Sequence, residues 1–143
     1  MSKSLGTGID PLHYIEEYGA DATRFGVLWQ ATGQDIRWDE SAVIAGKKFA
    51  NKIWNAGRFV LGKLENGTFE IPQKALNKKI LTPADKKILK DLEKTKKTVE
   101  KCLEALEFSK ALKIAYDFFW HAFCDIYLEK AKSLGDILIV GID

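Results

Sequence analysis

The chain has 143 residues, of which 46% are hydrophobic and 29% are charged. This size and composition predict one domain with a short leading segment and exclude an intrinsically disordered chain, because enough apolar side chains are present to form a core. The net charge is only +2, but residues 74–101 carry ten lysines against four acidic side chains, an asymmetry that can attract a polyanion.

Cysteine use and hydropathy bear on the compartment in which the protein works. Cys102 and Cys124 lie in helix-like apolar patterns without the spacing of a metal site, so we predict two reduced, buried thiols rather than a disulfide. The N-terminus lacks the apolar stretch of a signal peptide, and no apolar run reaches the roughly 20 residues of a membrane span. The sequence therefore predicts a cytoplasmic protein with no membrane partner.

The first two predicted helices are short and clearly delimited. Asp10 is a suitable N-cap, Pro11 suits the first helical position, and Gly19 is a natural stop. A second helix is predicted from about Asp21 to Ala31. We expect its buried side chains to be Phe25, Leu28 and Trp29.

A short extended segment and a long helix follow. Apolar and polar residues alternate in GQDIRWDES, as they do in a strand. From about Glu40 to Leu64, apolar or small residues recur at helical spacing, which predicts one helix roughly 37 Å long. Gly46 and Gly57 each weaken a helix by about 1 kcal/mol, so we expect both to lie where another helix packs closely. The stretch ENGTFEIPQ predicts a loop over residues 65–81.

Two further helices are predicted in the second half of the chain. Thr82 and Pro83 begin the first, with Asp85 at the capping-box position. Its expected buried stripe is Ile88, Leu89, Leu92, Val99, Cys102, Leu103 and Leu106. A lysine stripe on another face is interpreted as a solvated surface in preference to an RNA contact; it comprises Lys86, Lys90, Lys94, Lys97 and Lys101.

The last predicted helix begins with Ser109 as its cap and is rich in aromatic residues. Aromatic side chains on several of its faces indicate burial on several sides, as in the middle of a bundle. The closing run from Ile137 to Val140 suits an extra strand, a packed tail or a segment foreign to the domain, and the sequence leaves these alternatives open.

The opening stretch MSKSLGTG combines small residues, hydroxyls and one lysine. Small residues permit backbone rearrangement, Ser2 and Ser4 can donate hydrogen bonds to phosphate oxygens, and Lys3 supplies a mobile charge. The pattern is not a Walker A loop, because Lys3 precedes the glycines. By itself the stretch suits either a phosphate-binding loop or a flexible tail.

Several separated motifs occur together in this order. MSKS, followed by LGTGIDPL, YGADATRF and GQDIRW, resembles the second signature of the class I aminoacyl-tRNA ligases and its downstream segment. KKFANKIWNAGRFV, LTPADKKIL and YDFFWHAFCDIYLEKAK are similar to the valine-specific members of that family. The resemblance extends from Met1 to about Lys132. The first lysine of the signature is absent, and Thr7 stands where the family usually has Asn.

The resemblance implies an all-α fold, an antiparallel helical bundle of the class I anticodon-binding type. A short loop and helix appendage with a small extended segment would precede this bundle. The implied divisions are a signature loop with linker helices at 1–38, the anticodon-binding bundle at 39–132 and an unmatched tail at 133–143. Because the family's bundle has further helices, we expect the uncovered apolar face to self-associate or to be covered by the tail.

By resemblance, the chain is a fragment of an enzyme that activates valine with ATP and transfers it to tRNA. Lys3 would be catalytic, since it would stabilise the departing pyrophosphate, and Ser2 and Ser4 would help to hold the ATP phosphates. Mg²⁺ would arrive with the nucleotide, and we expect no protein-bound metal in this part. The chain should be inactive without the missing catalytic domain. The alternatives are a free-standing tRNA- or RNA-binding helical module and a purely structural interaction domain.

The implied tRNA-binding surface lies on the polar side of the long helix and in the extended segment, where cations can neutralise phosphates. The candidate tRNA contacts are Arg37, Lys47, Lys48, Lys52 and Arg58. Two tryptophans, Trp38 and Trp54, could stack on bases, but we expect both in the core. His13 and His121 are expected at the surface or in packing, and Asp21 and Arg24 are expected to tie the linker helices together.

Overall fold

The computed structural model describes residues 8–34, 38–65 and 81–133. The helices in these ranges are α1 (Pro11–Tyr18), α2 (Ala20–Gln30), α3 (Glu40–Glu65), α4 (Pro83–Glu104), α5 (Phe108–Asp117), a π-helix (Phe118–Leu128) and α6 (Glu129–Ser133). The described ranges contain no strand, which confirms the all-α prediction. None of their helices is both long and apolar enough to cross a bilayer. The predicted signature loop up to residue 7, residues 35–37 of the extended segment, residues 66–80 of the predicted loop and the tail from residue 134 lie outside the described residues.

The first two helices have the predicted ends. The Asp10 side chain accepts a hydrogen bond of 3.0 Å from the Leu12 amide, and Gly19 stops α1 with a left-handed φ of 94°. On α2, Phe25 is buried and Trp29 is half-buried, as expected. The expectation for Leu28 is wrong, since this side chain is 41% exposed. Its side chain lies outside the group that α2 buries, which is Ala22, Thr23, Phe25 and Gly26.

Two glycines allow α2 and α3 to approach closely. A Cβ atom on Gly46 would lie 2.8 Å from the Phe25 Cβ and 2.9 Å from the Ala22 carbonyl oxygen. On the facing helix, a Cβ on Gly26 would lie 2.6 Å from the Val43 Cγ2. The predicted close approach is therefore confirmed at Gly46. It is wrong at Gly57, where no described atom lies within 4 Å of an added Cβ.

The Gly46 contact leads to a prediction with a matched control on the same helix. Gly46→Ala should lower the free energy of unfolding by about 1–3 kcal/mol, because the new methyl group overlaps backbone and core atoms. Gly57→Ala should instead raise it by about 0.5–1 kcal/mol, because alanine favours the helix and meets open space. Urea unfolding followed by circular dichroism would measure both, and equal effects at the two positions would contradict the close contact.

An aromatic cluster joins α2, α3, α5 and the π-helix. Ring centroids are 5.5 Å apart for Phe25 and Phe49, 4.8 Å for Phe49 and Tyr116, and 5.4 Å for Tyr116 and Trp120. These separations lie in the range of favourable aromatic contacts. The cluster therefore packs the aromatic C-terminal helix directly against both α2 and α3, and α4 packs against it as well, in agreement with the predicted burial of this helix on several sides.

The first turn of α4 is bonded to the π-helix. Thr82 and Asp85 form the predicted capping box, with the Thr82 amide donating to Asp85 Oδ2 at 2.7 Å. The Tyr127 hydroxyl donates to the other carboxylate oxygen, Oδ1, at 2.8 Å. Burial by itself would raise the pKa of Asp85, but the hydrogen bonds from Thr82 and Tyr127 outweigh it and leave the pKa below its usual value. The buried carboxylate therefore anchors both helices.

The last helix differs from its prediction in two ways. Its N-cap is Glu107 rather than Ser109, and the buried Ser109 hydroxyl instead donates to the Trp29 carbonyl oxygen at 2.6 Å. From Phe118 the helix also widens into the π form, which has i→i+5 hydrogen bonds. Successive rings four residues apart, at Phe119, Phe123 and Tyr127, lie 5.6 and 5.9 Å from one another along it.

Both cysteines are buried and free, which confirms their prediction as reduced thiols. Burial raises the pKa of the Cys124 thiol, which keeps it protonated and unreactive.

The corner between α4 and α5 exposes two leucines that were expected in the core. Leu106 is 72% exposed and Leu103 is 46% exposed, so that expectation is wrong. The reason is a Schellman-type helix end, in which the Leu106 amide donates to the Leu103 carbonyl and the Glu107 amide donates to the Cys102 carbonyl. Leu106 takes the left-handed position, with φ of 59°, where glycine is usually found.

Leu106→Gly should therefore raise the free energy of unfolding by about 1 kcal/mol, since it removes left-handed strain and little buried surface. The matched control is Ala105→Gly at the neighbouring position, whose φ of −82° carries no such strain. This control should leave stability unchanged or lower it. Thermal unfolding would compare the two, and a destabilised Leu106→Gly variant would contradict the strain.

Candidate nucleic-acid interface

The exposed surface of α3 carries only positive charge over most of the length of the helix. Residues 41–64 contain five basic side chains and no acidic one. We define the α3 stripe by residues that share an exposed side of this helix: Lys47, Lys48, Asn51, Trp54, Asn55 and Arg58. At 1.5 Å per residue, the stripe is roughly 17 Å long from Lys47 to Arg58.

The packing of α3 explains why this side is open. Ala42, Val43 and Gly46 are buried on the side that faces α2, and Phe49 joins the aromatic cluster. At 100° per residue, the centre of the α3 stripe lies roughly 150° around the helix from this packed side, with Trp54 at the edge of the stripe beside Gly46. The small residues that make the close helix contact therefore determine which side of α3 remains free to bind.

One end of the stripe lies beside α1. The Lys47 ammonium donates to the Glu17 carbonyl oxygen at 3.4 Å and lies 5.4 Å from the centre of the Tyr18 ring. The Tyr18 hydroxyl donates to Glu40 at 2.6 Å, a bond that joins α1 to the first turn of α3 and raises the pKa of the phenol. Lys47 forms no ion pair within the described ranges, so its charge remains available to a ligand.

Lys52 lies apart from the α3 stripe. Its ammonium is 2.7 Å from Asp125 Oδ1 and 4.3 Å from the centre of the Trp120 ring, and its side chain is 29% exposed. His121 Nδ1 approaches the other oxygen of Asp125 at 3.1 Å. The hydrogen bond from Lys52, with a smaller contribution from His121, lowers the pKa of Asp125. Lys52 thus ties α3 to the π-helix, and we leave it out of the candidate interface.

The two tryptophans considered for base stacking have different environments. Trp38 is half-buried, with its ring centroid 5.2 Å from that of Tyr14. Trp54 is 69% exposed, so the expectation that it lies in the core is wrong. Helical spacing alone did not reveal this, but the basic and amide residues around Trp54 on the helix surface were a signal of an open face.

Some of the other predicted functional residues lie in the part of the chain that the structure describes, and some lie outside it. Lys48 and Arg58 are exposed on the α3 stripe, whereas Ser2, Lys3, Ser4 and Arg37 lie outside the described residues. The predicted lysine stripe of α4 is exposed along its length, and His13 and His121 are also exposed. Asp21 and Arg24 form no ion pair within the described ranges, which gives no support to their expected role as a tie.

Within the described residues, no group of three or more His, Cys, Asp or Glu side chains could hold a metal ion. The α3 stripe itself offers cationic, amide and aromatic side chains, which suit contact with a polyanion that carries planar rings.

Comparison with known proteins adds two family matches. Residues 1–39 match the family of class I tRNA synthetases (I, L, M and V), and residues 85–137 match the anticodon-binding domain of tRNA ligases. The chain belongs to the class I tRNA ligases. The α3 stripe falls between the two matched ranges.

Individual relatives extend the similarity across α3. The chain is 50% identical over 133 residues to a valine–tRNA ligase of Thermotoga maritima, an alignment that covers 92% of this chain and 15% of the relative. It is 43% identical over 133 residues to that of Treponema pallidum, covering 92% of this chain and 14% of the relative. It is 44% identical over 135 residues to that of Latilactobacillus sakei, covering 94% and 15%. The chain thus spans about 15% of the length of the curated relatives that it matches.

Proposed function

We propose that the chain is a segment of a valine–tRNA ligase, an enzyme that activates valine with ATP and transfers it to valine-accepting tRNA. The observation that carries this proposal is the 50% identity to one valine–tRNA ligase over 92% of the chain. Residues 1–38 would supply the loop that binds ATP phosphates together with its linker helices, and residues 39–132 would supply the anticodon-binding bundle. The free-standing RNA-binding module is less favoured, because residues 1–39 match the catalytic-region family as well.

In the first step, the valine carboxylate would attack the α-phosphate of ATP, and pyrophosphate would leave. Negative charge grows on the pyrophosphate, so a cation that approaches it in the transition state accelerates the reaction. Lys3 is the proposed cation, and Ser2 and Ser4 would hold the loop against the phosphates. No general base is required, because the attacking carboxylate is already ionised at neutral pH. Mg²⁺ would enter with the nucleotide as part of the substrate.

Activity measurements on two proteins test this assignment. The full-length ligase that contains this chain should catalyse valine-dependent exchange between ATP and pyrophosphate, whereas the 143-residue chain alone should not, because it spans only about 15% of the length of its relatives. In the full-length enzyme, Lys3→Ala should lower the exchange rate about 10²–10³-fold, the usual loss on removal of a preorganised charge contact.

Lys90→Ala is the matched control, since it removes one exposed lysine from α4 and should leave exchange unchanged. Full exchange activity in the Lys3→Ala enzyme would refute the proposed role of the loop.

The bundle would bind tRNA through phosphates, with Lys47, Lys48 and Arg58 of the α3 stripe as the described contacts. Their support is that every charged side chain from residue 41 to residue 64 is basic, so α3 itself attracts a polyanion, although the exposed Asp21 of α2 borders the stripe. Arg37 is a further proposed contact. The other partners proposed are the catalytic domain of the same enzyme and, for the isolated chain, a second copy that covers exposed apolar side chains such as Leu106.

Salt dependence gives a direct test of the phosphate contacts. Arg58→Gln and Lys47→Gln should each weaken tRNA binding and reduce the slope of log K against log salt concentration by somewhat under one unit, since each removes one phosphate contact. Lys96→Gln, an exposed lysine on α4, is the control and should leave the slope unchanged. Fluorescence anisotropy of labelled tRNA over a salt series would measure these slopes, and unchanged slopes in both stripe variants would refute the interface.

A further inference from the structure

We propose that the turn between α4 and α5 is an interdomain contact, in which Leu103, Leu106 and Phe108 pack against an apolar surface of the catalytic domain of the same polypeptide. We define the α4–α5 corner as residues 103–108. This inference rests on the proposed function, which makes the chain a segment of a larger ligase. It gives the corner a role that the bundle by itself does not require.

The first argument is the strained backbone of Leu106. Within the described ranges it is the one non-glycine residue with a positive φ, which is 59°. An L-residue is disfavoured in this left-handed conformation, and glycine or asparagine usually occupies it at a helix end. Packing within the chain does not compensate for the strain, since the Leu106 side chain is 72% exposed. Strained residues that persist in proteins cluster at sites of contact with ligands and moving parts.

The second argument is the apolar surface of the α4–α5 corner. Leu103 and Phe108 are 46% and 41% exposed, so three large apolar side chains face water within six residues of chain. A cleft of about 450 Å³ opens beside Leu106, and it is also lined by Ile114 and by Thr32, which follows α2. The exposed side chains and the cleft together form a surface that an apolar partner can cover and enter.

The charged side chains that line the cleft balance one another. Glu107 and Lys110 form an ion pair of 2.7 Å, and Lys113 and Asp117 add one charge of each sign. A neutral polar rim around an apolar centre is the usual anatomy of a protein–protein interface. An RNA-binding surface would instead carry an excess of cations. The α4–α5 corner is therefore suited to a protein partner.

The position of the corner identifies this partner. Directly after it, the Ser109 hydroxyl donates to the Trp29 carbonyl oxygen at 2.6 Å, and the Lys113 ammonium lies 5.3 Å from the centre of the Trp29 ring. The corner thus lies beside the end of α2, which belongs to the residues that match the class I tRNA synthetases. Because the chain covers only 15% of the length of a relative, most of a catalytic domain would adjoin these residues.

The size of the apolar surface favours a partner in the same polypeptide. The exposed parts of its three large side chains amount to roughly 200–300 Å². A stable complex between separate chains buries about 800 Å² per partner, so the α4–α5 corner alone is too small to hold a second copy. Within one polypeptide a smaller contact suffices, because linked surfaces meet at a high effective concentration.

Site-directed photocrosslinking in the full-length ligase would identify what covers the corner. Leu106→p-benzoylphenylalanine places a photoreactive aromatic group there, and mass spectrometry of the digested enzyme locates the peptide to which it becomes joined. We expect a crosslink to a segment that precedes residue 1 of this chain in the full-length sequence. The matched control is Lys90→p-benzoylphenylalanine, at an exposed position of α4 roughly 20 Å from the corner, which should give no crosslink to that segment.

A crosslink from position 106 to a segment that follows residue 143, or to a second copy of the enzyme, would overturn the proposed contact. The absence of any crosslink would also overturn it, because the corner would then be open to water.

Unfolding of Leu106→Gly in two contexts tests the role of the leucine itself. In the 143-residue chain the substitution should raise the midpoint of thermal unfolding by about 2–5 °C, because it relieves the strain. In the full-length ligase it should lower the midpoint of the transition that includes the bundle, because the docked side chain is lost. Ala105→Gly is the control and should not change sign between the two proteins. A rise of the midpoint for Leu106→Gly in both proteins would contradict the contact.

Valine-dependent exchange between ATP and pyrophosphate, measured on the same full-length preparation, distinguishes this inference from the proposed function. An active ligase whose probe at position 106 forms no crosslink to the catalytic domain would overturn the interdomain contact while the proposed function stands. A full-length protein without exchange activity would refute the proposed function, and with it the premise of the contact.

Discussion

The close contact between α2 and α3 is the constraint on which the rest of the described structure depends. Gly26 and Gly46 leave no room for a Cβ atom, so the two helix backbones meet directly at Val43 and Phe25. Such contact fixes the rotation of α3 about its axis, because only its glycine-bearing side fits against α2. The rotation in turn determines which side of α3 packs in the core and which side is exposed.

A second set of contacts holds α3 from another direction. The ring of Phe49 packs on Tyr116, and Lys52 reaches Asp125 and the face of Trp120. Lys52 is half-buried but Asp125 is 44% exposed, so water screens this ion pair and its contribution to stability is modest. With α2 on one side and the π-helix on another, α3 presents its remaining side to solvent.

The proposed function divides two tasks between two kinds of structure. The opening loop would act in the transition state of valine activation, which demands a cation that moves toward charge as it develops. The α3 stripe would bind an RNA whose phosphates carry full charge throughout, which suits side chains fixed along a helix. The helix that follows the loop in the chain, α1, is bonded to the first turn of α3 through Tyr18 and Glu40.

Local signals predicted the helices well because they act within a few residues. The Asp10 cap, the Thr82 capping box and the Gly19 stop each depend on neighbours in the chain, and all three form as expected. The widening of the last helix at Phe118 was not predictable, since aromatic residues at spacings of three and four suit both helix types. Ser109 has the composition of a cap, yet its hydroxyl bonds to a carbonyl eighty residues away, a partner that no local pattern reveals.

The sequence by itself determined the fold class, the helix ends and the family, because caps, periodicity and ordered motifs are properties of short stretches of chain. Only the tertiary structure decided that Trp54 is exposed and that Lys52 is paired with Asp125. Both residues occupy α3 at helical spacing, and their different roles arise from which neighbouring helix covers each side. That choice depends on the packing of the whole bundle, which is a property of distant residues acting together.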